Sequence, residues 1–263
     1  MPMTYQTGTQ CPITTNSKRP NRRLIKSEKV HSNGANYTWN TYDIENYGEA
    51  AYVHLEERTD GEFRKVRAMV PFEHIGVKPK DFDWTLYGCD TELPKRIANA
   101  FILNFEKFEA QGKGLYIHSK IPGSGKTMLA CCLLNELIET RPINAKFITV
   151  PDFIELTKNG FKYEECNEEA DSIFGTRLLV LDDIGTQMNK EWVDTVLYRL
   201  INYRMSKKLV TIFTSNIEAD KLKIDKRVTD RIIKMTVPLI LPEVSIRVKK
   251  AQEENAEFIK EII

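Results

Sequence analysis

The sequence predicts an α/β fold, with a mostly parallel sheet covered by helices on both faces. Three observations predict it. Short apolar runs recur at Gly114–His118, Ala145–Val150, Leu178–Leu181, Leu209–Phe213 and Val237–Leu241, as expected of strands buried on both faces. Helical segments separate them, such as Glu191–Arg204, where Val193, Val196, Leu197, Leu200 and Ile201 share one face. The first run also passes through a glycine-rich turn directly into a helical stretch, and strands alternating with helices build a parallel sheet.

Upstream of this pattern the chain changes character. Residues 1–45 are rich in Thr, Ser, Asn, Lys and Arg. With few large aliphatics to offset the ordering entropy, they read as a flexible arm. Lys18, Arg19, Arg22, Arg23, Lys26 and Lys29 form a basic cluster there, opposed only by Glu28. Within 46–88, a small region is expected to hold a hairpin at Ala50–Val70, turning at Thr59-Asp60-Gly61; Asp-Gly between alternating runs is a strong hairpin signal. A linker follows from Pro71 to Gly88. The main domain then spans 89–263, opening with a helix through Arg96, Phe101 and Phe105 that Thr91 is placed to cap.

The chain has 263 residues, 41% hydrophobic, with a net charge of +1. That suffices for one sizeable core and gives no global electrostatic argument for a polyanion, so any such contact must be local. The five cysteines (Cys11, Cys89, Cys131, Cys132 and Cys166) form no CxxC pair, which excludes a zinc module by spacing and suggests reduced, buried thiols. No secretory segment or membrane-length apolar run is visible, so a soluble cytoplasmic protein without a membrane partner is expected.

The strand GLYIH leads into SKIPGSGKTMLACCLLNELI. From Pro122 through Gly123, Ser124 and Gly125 the backbone can approach a phosphate closely, and the loop feeds a helix N-terminus whose free N–H groups favour an anion. Lys126 would meet the β/γ-phosphates, the Thr127 hydroxyl would hold Mg²⁺, and Met128 continues the helix. One position departs from the full signature. The first glycine is replaced by Lys120, so a residue with a Cβ must make the turn out of the strand.

A nucleoside triphosphatase also needs a carboxylate near the metal and a group that activates water. The run Leu178–Leu181 ends in Asp182 and Asp183. Asp182 is the expected Mg²⁺ partner through water, and Asp183 the water-polarising base, one methylene shorter than the Glu usual in that place. The following strand ends in Thr214-Ser215-Asn216, where the Asn216 amide is placed to read a γ-phosphate or hold the water.

Together, PGSGKTMLA, LLVLDDIG and EWVDTVLYRLINYRMSKKLVTIFTSN resemble the DnaC/DnaI-type helicase loaders and the related IstB-type transposition ATPases, over roughly residues 90–247. The resemblance implies an AAA+ core with strand order 5-1-4-3-2, using ATP and Mg²⁺. It also implies self-association through the ATP site, with an arginine from one subunit completing its neighbour's site. Arg231 is the first choice for that finger and Arg227 the second, while Arg247 matches the family's sensor-2 arginine. The cysteine-rich module that some loaders carry before the ATPase is absent.

The leading functional expectation is a loader that delivers a replicative DNA helicase to single-stranded DNA. The alternatives are a transposition ATPase acting on duplex DNA and a non-hydrolysing ATP-switched adaptor. An insert at Pro151–Thr176 resembles the extra helical element of initiator and loader ATPases. At its bend Phe161 and Tyr163 can stack on bases, at about 1–3 kcal/mol each, with Lys158 and Lys162 on phosphates. Against that, Glu164, Glu165, Glu168, Glu169 and Asp171 would repel DNA, and the two aromatics could equally pack the insert onto the core.

Overall fold

The computed structural model describes residues 22–32, 35–44, 48–55, 64, 67–160, 164–185 and 191–262. The chain divides into two compact units, Met1–Arg58 and Thr59–Ile263. The first holds three antiparallel strands: β1 (Arg22–Ser32), β2 (Ala35–Ile44) and β3 (Gly48–Leu55). Trp39 on β2 lies opposite Glu28 on one side and Val53 on the other, and the register shifts between Leu24 and Lys26.

Two expectations are corrected here. Residues 22–32 and 35–44, read as part of a flexible arm, are paired strands. Scarcity of aliphatic side chains argued against a core, but a ladder satisfies backbone groups whatever the side chains are, and the Thr, Tyr and Trp residues along β2 favour extended backbone. The expected hairpin at 50–70 also pairs the other way. Its first limb joins β2, and within the expected second limb Ala68 and Met69 lie in a turn, with Met69 at a φ of 58°, while residues 62, 63, 65 and 66 lie outside the described residues. The expected turn residues Thr59, Asp60 and Gly61 lie outside the described residues.

In the second unit, the stretch read as a linker forms three short 3₁₀ turns: Phe72–His74, Pro79–Asp81 and Trp84–Tyr87. Phe82 and Tyr87 are buried in the same apolar cluster as Leu129 and Leu133. The buried Asn135 amide donates to the carbonyls of His74 and Val77 at 2.9 and 3.0 Å. This stretch therefore packs as part of the second unit, and the observed division falls after Arg58 rather than after residues 45 and 88. The signal was hidden because three aromatics held by short turns show neither a strand nor a helix period.

Helix α1 (Glu92–Leu103) is followed by α2 (Phe105–Gln111). Thr91 occupies the N-cap position without a side-chain cap bond; the Asp90 carboxylate accepts the Glu92 N–H instead, at 2.9 Å. The five core strands are β4 (Gly114–His118), β5 (Ala145–Thr149), β6 (Leu178–Asp182), β7 (Val210–Ser215) and β8 (Thr236–Ile240). All pair in parallel, in the order β5-β6-β7-β4-β8. Counted from β4, this is the expected 5-1-4-3-2.

Helix α3 (Lys126–Thr140) packs with α1 on one face of the sheet. The other face is covered by α4 (Val150–Gly160), α5 (Glu164–Gly175), α6 (Glu191–Ser206) and α7 (Lys226–Met235). Helix α8 (Ile246–Ile262) ends the described chain. Because the strands run in parallel, their carboxyl ends bring the glycine loop, the acid pair and Thr214–Asn216 to one edge, where open α/β sheets form their binding crevices. Among the described residues no helix is long and apolar enough to cross a membrane.

Candidate functional site

The loop between β4 and α3 is shaped by two glycines in left-handed backbone conformations, Gly123 at φ 75° and Gly125 at φ 90°. A Cβ at Gly125 would lie 3.2 Å from the Phe82 ring, and one at Gly123 would lie 2.9 Å from the Arg247 Cβ. Position 120 needs no such freedom: Lys120 is absent from the positive-φ residues. Its ammonium lies between Glu218 at 3.3 Å and Glu243 at 3.5 Å, away from the loop's centre. Beneath the loop, the buried Tyr87 hydroxyl donates to the Ser124 carbonyl at 2.6 Å.

Lys126 is buried, and its ammonium donates to Ser119 O, Ile121 O and Ser124 Oγ at 3.1–3.3 Å. These are neutral oxygens. Burial holds its pKa below the ordinary lysine value, with Asp183 and Asp182 pulling the other way. A buried cation with only neutral hydrogen-bond partners is well matched to an anion.

The Thr127 hydroxyl, one turn-position further on, donates to the Asp182 carboxylate at 3.0 and 3.2 Å. The Thr214 hydroxyl donates to the same carboxylate at 2.6 Å. Burial pushes the Asp182 carboxyl above the usual carboxylate range, against the two hydroxyl bonds that favour its ionised form. Asp183 follows at a φ of 60°. Because the Thr127 proton points at Asp182, its oxygen lone pairs remain for a cation.

A cleft of about 510 Å³ opens over the loop, lined by Pro122, Gly123, Gly125, Lys126, Thr127 and Met128 together with Asp183, Asn216 and Arg247. His74, Val77 and Ile246 close another part of it. Among the described residues the buried Asn216 Oδ1 has no hydrogen-bond partner, an acceptor that a ligand-bound water would satisfy. The Arg247 backbone N–H donates to Gly123 O at 3.1 Å, tying the start of α8 to the loop. These features fit a nucleotide triphosphate with Mg²⁺: a glycine cradle that a Cβ would fill, a buried cation, an ionisable carboxylate beside a hydroxyl, and an orphaned amide.

Other expected site residues lie apart. Arg231 does not line this cleft; it sits on α7, held against α6 through Tyr198 and Asn202. Arg227 is bound to Asp225. Lys158 is exposed near the end of α4, and Phe161, Lys162 and Tyr163 lie outside the described residues. Two residues at the site escaped sequence reasoning, Tyr87 and Thr214. The first belonged to a segment read as linker. The second was visible in TSN, but attention fell on the amide of Asn216. Cys131 and Cys132 are buried as expected, whereas Cys89 is exposed.

The sequence pattern of the IstB-like ATP binding proteins matches residues 53–238. Over 145 residues the chain is 37% identical to the replicative helicase loader DnaI of Bacillus subtilis (strain 168), covering 53% of this chain and 46% of that protein. Over 176 residues it is 31% identical to the replicative helicase loader DnaC of Escherichia coli (strain K12), covering 65% of this chain and 71% of that protein. A crystal structure of DnaI matches with a TM-score of 0.58 at 27% identity, over 66% of this chain and 95% of that one. The chain thus spans about half the length of the DnaI relative, at 46%, and more of DnaC, at 71%.

Proposed function

The chain belongs to the family of IstB-like ATP-binding proteins, and from that membership we propose that it is an AAA+ ATPase that delivers a replicative helicase to single-stranded DNA. The observation that carries the ATP-hydrolysing part is the joining of Lys126, Thr127 and Asp182 at one end of the sheet, with Thr127 donating to Asp182 at 3.0 Å. The loader part is supported by relatives named as loaders of replicative helicases.

In this reading the N–H groups around Gly123–Thr127 and the Lys126 ammonium hold the β- and γ-phosphates. Thr127 and Asp182 would hold Mg²⁺, which would supply positive charge against the phosphate oxygens. Asp183 takes the proton of the attacking water, and Asn216 orients that water or the γ-phosphate. Arg247 reaches the phosphates from α8, and Arg231 of a neighbouring copy stabilises charge that develops in transfer.

Two variants test the site. Lys126→Ala should weaken ATP binding by more than about tenfold, because a charged hydrogen-bonding partner worth about 1.5–3 kcal/mol is lost. Asp183→Asn should bind ATP nearly as well as the natural protein and lose turnover. Equal ATP affinity in the natural and Lys126→Ala proteins overturns the assignment. The partner is tested by co-purification with the replicative helicase in ATP. Failure there, with capture of a transposase instead, would favour the transposition reading.

A further inference from the structure

The DDIG and TSN motifs are held together by more than sheet pairing, and Thr214 is at the centre of that contact. Its hydroxyl has one proton and two lone pairs. The proton goes to Asp182 Oδ1 at 2.6 Å, and a lone pair accepts the Asp183 backbone N–H at 2.9 Å. The Thr214 carbonyl accepts the Ile184 N–H at 3.0 Å, and the Ser215 hydroxyl donates to the Ile184 carbonyl at 2.6 Å. Thr214 and Ser215 are both fully buried, so water does not substitute for these bonds.

The conformation held this way is a costly one. Asp183 has a φ of 60°, a left-handed geometry that a residue with a Cβ adopts only when its surroundings fix it. Gly185, at φ 101°, completes the turn, its α-carbon facing Leu222 and Ile217. The four hydrogen bonds to residues 214 and 215 supply the fixing. They also place both acids relative to Asn216, which continues the same strand end.

We infer that Thr214 is a positioning residue, whose single hydroxyl orients the Asp182 carboxylate and locks the strained Asp183 backbone, and so sets the geometry of both acids. The inference rests on the ATPase reading above. It explains why the acid pair and the TSN strand end occur together: the strand end that presents Asn216 also fixes the conformation of the acids. Buried and bonded to the acids, Thr214 does not line the cleft.

The test compares Thr214→Val and Thr214→Ser with the natural protein. Valine keeps the shape and loses the hydroxyl; serine keeps the hydroxyl. Binding of a fluorescent ATP analogue is measured with and without Mg²⁺, alongside kcat and KM. Thr214→Val should bind nucleotide without Mg²⁺ within about threefold of the natural protein, lose the Mg²⁺-dependent gain with a matching rise in KM, and fall about 100-fold in kcat. Thr214→Ser should recover most of the turnover and the Mg²⁺ dependence. Unchanged Mg²⁺ dependence in Thr214→Val, or a serine variant as impaired as valine, overturns the inference.

If Thr214→Val does not fold, Thr214→Ala also removes the hydroxyl and should lower kcat while sparing Mg²⁺-free binding; an unchanged kcat overturns the inference. A natural protein that binds ATP and Mg²⁺ but does not hydrolyse ATP would sink the ATPase reading alone, since the Mg²⁺-dependent binding difference still tests Thr214.

Discussion

The guanidinium of Arg231 lies over the ring of Tyr198, its central carbon 4.6 Å from the ring centroid, and donates to the Tyr198 hydroxyl at 3.1 Å and to Asn202 Oδ1 at 3.0 Å. Its partners are an aromatic face and neutral oxygens, including the Arg227 carbonyl at 2.8 Å. Arg227 also stacks on Tyr198, at 5.0 Å, but its guanidinium is committed to the Asp225 carboxylate at 2.6 Å. Of the two, Arg231 is the one braced in place with no bonded carboxylate among the described residues, which suits an arginine acting on a neighbour's phosphates.

If Arg231 acts in trans, Arg231→Ala should lower turnover by about 10³-fold, the scale of such arginines. Lys126→Ala should be inactive as well. Mixing the two inactive proteins should restore part of the activity, since some interfaces then pair an intact loop with an intact arginine. Steady-state ATPase assays on the mixture check this. Full activity of dilute, monomeric Arg231→Ala protein would rule out the trans role.

Lys120 stands where the family's loop begins with glycine, and its φ is not left-handed. Its ion pairs with Glu218 and Glu243 are solvent-exposed, and such pairs are screened by water and contribute little. Lys120→Gly should therefore change ATP affinity by less than about threefold and lower the melting temperature only slightly, mainly through added freedom of the unfolded chain. Nucleotide titration and thermal melting measure both. A tenfold loss of affinity would mean that Lys120 shapes the loop after all.

The core strands and the phosphate loop were legible because burial on both faces leaves uninterrupted apolar runs, and because glycine, lysine and threonine are each required by chemistry at fixed spacing. Asp182 and Asp183 were legible by position, but not by conformation. Nothing in two adjacent aspartates announces that the second is left-handed, since that depends on Thr214 thirty-odd residues later. The β1–β3 sheet was missed because its pairing is a property of three segments together. The segment 71–88 was missed because its order comes from partners on α3, such as Asn135, that no local window contains. Arg204 shows the same limit: an arginine at the end of an amphipathic helix reads as a surface charge.

In the structure Arg204 is fully buried. It donates to Thr211 Oγ1 at 2.9 Å, to Val210 O at 2.7 Å, and to Ile173 O, Phe174 O and Thr176 O at 2.9–3.2 Å. It thus caps the end of α5 and ties α5 to α6 and β7, and burial lowers its pKa to about 9. Arg204→Ala orphans several buried carbonyls, each costing about 1–3 kcal/mol, so the loss should be at least about 3 kcal/mol. Denaturant unfolding measures it. A loss under about 1 kcal/mol would mean that water or a rearranged α5 satisfies those carbonyls.

The last prediction concerns DNA and the insert formed by α4 and α5. Described residues of both helices anchor the insert. Val150, Phe153 and Ile173 are buried, and the Phe153 and Phe174 rings lie 6.1 Å apart. One of the acids expected to repel DNA, Glu169, is paired with Lys146 on β5. Lys158 is exposed on the last turn of α4, beside the bend. We therefore keep Phe161, Lys162 and Tyr163 as the proposed single-strand contact, with aromatics stacking on bases and lysines on phosphates. Phe161→Ala combined with Lys162→Ala should weaken single-stranded DNA binding in ATP by at least about tenfold, consistent with about 1–3 kcal/mol per stacked base. The salt dependence should also flatten by about 0.7 in log–log slope for the lost lysine, while the melting temperature stays nearly unchanged. Fluorescence anisotropy at several salt concentrations, paired with thermal melting, separates the outcomes. Unchanged affinity, or a loss matched by unfolding, would assign these residues to packing and move the search for the DNA contact to the basic residues between Lys18 and Lys29.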